Sequence, residues 1–148
     1  MIEVIKHNIR ANELEKDTVQ FTVDIPIFFG SETVPATATG AATFAHTTIK
    51  LDNETLKFVK SAKVIIDYEW AATADGEFQL YDATAASVVA SSTTKTGGEV
   101  SDWEEFDVTG ELVAGNTIEL RANITTAGGT GEVVTLHRAI LRLVVGVS

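Results

Sequence analysis

Apolar and polar residues alternate with a period of two along most of this chain, and that alternation predicts strands. In SAKVIIDYEWAA, residues 61 to 72, Val64, Ile66, Tyr68 and Trp70 fall on one face and Ile65, Asp67 and Glu69 on the other. NTIELRANITT repeats the pattern, with Ile118, Leu120, Ala122 and Ile124 inward and Glu119, Arg121 and Asn123 outward. Both stretches are rich in β-branched residues and bounded by glycine or turn residues. The longest apolar run, EVVTLHRAILRLVVG at 132 to 146, has the length of a buried helix. Its Val133, Val134, Thr135, Val144 and Val145 favour a central strand instead, with Arg138 and Arg142 at even spacing on one face. GEFQLYDATAASVVASS, residues 76 to 92, reads as a hairpin around a polar turn at 82 to 85. Further strands are predicted near 18–25, 43–51, 87–95 and 102–109, which brings the total to about eight, spaced as in an antiparallel sandwich.

Turn chemistry agrees. Ala74-Asp75-Gly76, Thr96-Gly97-Gly98, Ala114-Gly115-Asn116 and the 127–131 stretch supply residues that tolerate positive φ between apolar runs. Helix is a minority: two turns are predicted near 9–16, and one at 54–58 capped by Asp52 or Asn53. Residues 25–42, IPIFFGSETVPATATGAA, hold both prolines and predict a long irregular connection. The expected organisation is an N-terminal arm over 1–17 and one all-β, jelly-roll-like sandwich over 18–148.

Composition narrows the chemistry. A chain of 148 residues fits one domain, and its 45% hydrophobic content supports an ordinary core. A net charge of −10 repels phosphate backbones and anionic membranes, so nucleic acid and membrane are not expected as partners. There is no cysteine, which removes disulfides, thiol catalysis and cysteine-ligated metals. The N-terminal stretch lacks an apolar run of signal-peptide length, so the expected location is an assembled particle such as a virion, or otherwise the cytoplasm.

The succession FQLYDATAASVVAS, WEEFDVTGEL and NTIELRANITTAGGTGEVVTLHRAILRLVV resembles the last half of a jelly-roll β-sandwich module, over roughly residues 58–146. Such modules occur in viral capsid, turret and decoration proteins and in carbohydrate-binding domains. The resemblance is one of strand order and turn placement, and implies a fold without assigning a site.

His7, His46 and His137 show no metal-ligand spacing, and neither G-x-S-x-G nor S-x-x-K is present, so the chain reads as a non-enzyme that needs no cofactor. Carboxylates paired at Asp67 with Glu69, and at Asp102, Glu104, Glu105 and Asp107, would project from strand faces. Solvated faces explain them; calcium bound by these oxygens, or a small hydrolase using them, are the sharper alternatives. Trp70 and Trp103 are candidate platforms for a sugar ring, Trp70 sharing the apolar phase of its strand and Trp103 lying in the acidic stretch SDWEEFD. Ile25, Ile27, Phe28 and Phe29 crowd four large apolar side chains into the irregular segment, which predicts an interface with another subunit. The reading that joins these features is a structural or assembly protein, a virion surface or capsid-decoration subunit that forms homo-oligomers, with a carbohydrate-binding module as the alternative.

Overall fold

The computed structural model describes residues 19–146. The arm at 1–17 and the helix expected near 9–16 lie outside the described residues. The elements in order are β1 (Gln20–Pro35), β2 (Gly40–Thr43), β3 (Ile49–Lys50), α1 (Asn53–Leu56), β4 (Val59–Glu69), β5 (Asp75–Asp82), β6 (Ser87–Ser91), β7 (Val100–Asp107), β8 (Thr117–Thr126) and β9 (Val133–Gly146). They form two antiparallel sheets, one ordered β1-β9-β4-β7 and the other β2-β8-β5-β6 with β3 added beside β8. Most connections cross from one sheet to the other, so neighbours in a sheet are rarely neighbours in sequence. This is the strand order of a jelly roll.

The inward phases read from the sequence meet between the sheets. Val64, Ile66, Ile118, Leu120, Leu141 and Leu143 are all buried in one core. Phe78 sits among the aromatic residues of that core. Its ring stacks on Phe44 at 6.2 Å and takes edge contacts from Tyr68 at 4.8 Å and Trp70 at 5.2 Å. Gly76 owes its place to this crowding rather than to positive φ, because a Cβ there would lie 2.1 Å from the carbonyl oxygen of Asn123 and 2.8 Å from the Trp70 ring. Gly98, Gly115 and Gly131 do take positive φ.

Two segments depart from the expected pattern. Residues 25–35 are no loop: β1 runs on to Pro35, paired throughout with β9. Register shifts between Pro26 and Phe28 and between Phe29 and Glu32 absorb the irregular sequence. β1 is an edge strand, so Pro26 has no ladder bond to withhold from a second neighbour. Conversely, the strand expected at 43–51 is broken into β2 and β3. Between them the Thr47 hydroxyl donates to the Phe44 carbonyl at 2.7 Å and accepts from the Leu120 amide at 2.9 Å, replacing part of the backbone ladder. The one-turn helix forms as its cap suggests, with the Asp52 carboxylate accepting from the Thr55 amide at 2.7 Å.

A charged side chain lies between the sheets. Lys95 is 1% exposed, pairs with the Glu104 carboxylate, donates to Thr93 Oγ1 at 2.9 Å and stands 5.8 Å from the Tyr68 ring centre. Burial together with the nearby Glu104 and Glu99 charges holds the Tyr68 hydroxyl well above the usual phenol range.

Candidate functional site: an aromatic platform and an apolar strip

The outer face of the β1-β9-β4-β7 sheet carries the groups that alternation turned away from the core. Its rows are set by register. Asp24, Arg142 and Lys63 align across β1, β9 and β4, and Phe29, Arg138 and Asp67 align in the same order further along. Between those rows Ile140 pairs with Ile65. Both are buried, Ile65 completely, although they lie outside the main core cluster. The outward phase of β4 is therefore not uniformly solvated, as Ile65 at 0% exposure demonstrates.

Trp103 reaches this face from β7, at the register shift between the pairs Ile66–Glu104 and Tyr68–Ser101. Its ring centre lies 5.1 Å from the Arg142 guanidinium carbon and 5.5 Å from that of Arg138. Trp103 remains 46% exposed. Arg142 is held by a two-pronged bond to Asp24, at 2.8 and 2.9 Å, and that pairing pulls the Asp24 carboxyl below its usual range. Arg138 is less occupied: it donates to the Asp102 carbonyl at 2.9 Å, while its buried Nε has no hydrogen-bond partner. His137, which falls at a β9 irregularity, meets Glu69 at 2.7 Å on an exposed part of the sheet.

Trp70 is not part of this platform. It is 4% exposed, its indole N–H donates to the Ala74 carbonyl at 2.9 Å, and its ring packs edge-on against Phe78, so no face is open to a ligand. The shared apolar phase of Trp70 with Val64 and Ile66 already carried this signal.

The expected interface residues separate. Ile27 is buried in the chain's own core, and Ile25 and Phe28 pack against it. Only Phe29, 63% exposed, faces solvent. Alternation already turns Ile25 and Ile27 to the core side, and the register shift between Pro26 and Phe28 brings Phe28, opposite the buried Ala139, to the same side while Phe29, opposite Arg138, faces out. A different apolar strip lies at the N-terminal half of β1, where Phe21 and Val23 are exposed though opposite Val145 and Leu143. β2 and the two-residue β3 share the corresponding edge of the other sheet beside β8, too little paired strand to match the sixteen residues of β1. Phe21, Phe58, Val145 and Gly146 line an open apolar hollow of about 160 Å³ there. In TVQFTVDI, Phe21 and Val23 alternate with polar residues, but the shortfall of strand opposite them is invisible to alternation.

The paired carboxylates also separate. Glu104 points inward to Lys95, Glu105 pairs with Lys63 at 2.9 Å, and Asp107 accepts from Thr109 at 2.6 Å. Among the described residues no group of three or more acidic, histidine or cysteine side chains is placed to hold a metal ion such as calcium.

No protein-family model matches the chain, and no curated protein is similar to it.

Proposed function

We propose that this chain is a non-enzymatic structural subunit that works by assembling with copies of itself, in its most specific form a surface or decoration subunit of a viral particle. The observation that carries the reading is the apolar strip of Phe21, Val23 and Phe58 at the open end of the sandwich. Each large apolar side chain gains about 1.5–3 kcal/mol when fully buried. Phe21 and Phe58 beside the hollow, with Val23 exposed next along β1, forgo that gain in a free monomer, and a second copy supplies it. The jelly-roll order adds support by analogy, since it recurs in capsid subunits, and analogy of fold alone assigns no partner. The structural engagement of Glu69, Glu104, Glu105 and Asp107 favours a scaffold over a hydrolase.

The test is sedimentation at several concentrations. The wild type is expected to associate in the micromolar range, and Phe21→Ser with Val23→Ser is expected to give a folded monomer with an unchanged circular dichroism spectrum. A wild type that sediments as a monomer at every concentration overturns the reading.

A further inference from the structure

We infer that the outer face of the β1-β9-β4-β7 sheet binds a neutral saccharide chain laid across the strands between Trp103 and Phe29. Two exposed aromatic residues bracket the row, Phe29 on β1 and Trp103 on β7, with Arg138 and Asp67 in register between them. Three strand spacings separate β1 from β7, about 14 Å in all, a span matched by a short oligosaccharide. Sugar rings present C–H faces that settle on the electron-rich faces of aromatic rings, and hydroxyl edges that both donate and accept. The row offers the complement: rings at its ends, a guanidinium donor and a carboxylate acceptor in its middle.

Arg138 spends one bond on the Asp102 carbonyl and keeps further N–H groups for a ligand. Arg142 is already held by Asp24 and orders the Trp103 ring from the side it covers, so a sugar settles on the part of the ring left exposed. Partial order of this kind lowers the entropy lost on binding. A polyanion is the poorer ligand. Asp24, Asp67, Glu69 and Glu105 stand on the same face as Lys63, Arg138 and Arg142, and the whole chain carries −10.

Self-association and sugar binding rest on different residues, so the experiment uses the full chain carrying Phe21→Ser and Val23→Ser beside the wild type. Both are run through native gels containing mixed-linkage β-glucan, xylan or galactomannan, with alginate as the anionic comparison. Retardation by at least one neutral polymer is expected for both proteins, and quenching of tryptophan fluorescence by its oligosaccharides should not change with added salt. Trp103→Ala should weaken affinity about tenfold or more and Phe29→Ala several-fold, each with the wild-type thermal melt. Trp70→Phe, altered in the core, should bind as wild type does whenever it folds. Absence of retardation in all three neutral polymers overturns the inference, as does undiminished binding by Trp103→Ala or retardation by alginate alone.

Discussion

Lys95 places a charge at a cost to folding. Its ammonium lies between the sheets with Glu104 as counter-ion, and removing one partner leaves the other charged where water is scarce. Lys95→Ala is expected to lower unfolding free energy by about 3 kcal/mol, since single deletions of buried pairs fall near that size. Lys95→Met with Glu104→Gln removes both charges and should recover all but about 1 kcal/mol. Urea unfolding of Lys95→Met, Glu104→Gln and the double measures the coupling; simple additivity would mean the pair does not interact. Sequence alone did not single out Lys95, because it ends the strand expected at 87–95 in a polar stretch, SSTTK, where nothing marks a lysine as inward. It is drawn inward by the Gly76–Lys95 bridge, which docks the end of the β5–β6 hairpin region onto the first residues of β5.

At the scale of the element, β1 shows how a strand can accept two prolines and a crowded apolar run. Bulges divide it, and the division sends Ile27 into the core, Phe28 against it and Phe29 outward. The two phenylalanines are neighbours with different fates. Phe28→Ser should therefore destabilise by about 2 kcal/mol or more, through lost packing. Phe29→Ser should stay within about 0.5 kcal/mol of wild type. Thermal melts of the two single variants decide this, and equal losses would place both rings on the same side of the strand.

The whole molecule carries a pH signature. Asp24, Asp52, Asp82, Glu105, Asp107 and Glu132 are all held below the usual carboxylate range. The first causes are, in turn, the bond to Arg142, the Thr55 amide, the Asn116 side chain, the Lys63 ammonium, the Thr109 side chain and the Thr73 side chain. A carboxyl depressed in the folded state is taken up by protons first in the unfolded chain. Its contribution is thus complete above the unfolded value, about 4, and disappears as pH falls through the folded one. Melting temperature should hold from neutrality to about pH 5 and then fall steeply toward pH 2.5. Protonation also relieves the repulsion of a −10 chain, which acts the other way, so a melting temperature that rises on acidification would show global repulsion to be the larger effect.

What the sequence determined by itself was local and periodic. Alternation at 64–70 and 118–124 placed the core residues of β4 and β8, because a strand's side chains change face at every step and one face had to be buried. Even spacing set Arg138 and Arg142 on one side of β9 for the same reason. What only the tertiary structure decided depended on which strand lay beside or opposite which. Trp70, just past the end of β4, and Trp103, within β7, are the same residue type, and packing against Phe78 separates them. Phe21 and Val23 alternate in phase with the buried Ile27 yet stay exposed, because the short β2 and β3 opposite cannot cover a sixteen-residue β1. Ile65 keeps the outward phase yet is buried, in a row that Ile140 joins from the other end of the chain. Alternation is a property of one strand, whereas cover is a property of its neighbours, and in a jelly roll those neighbours are distant in sequence.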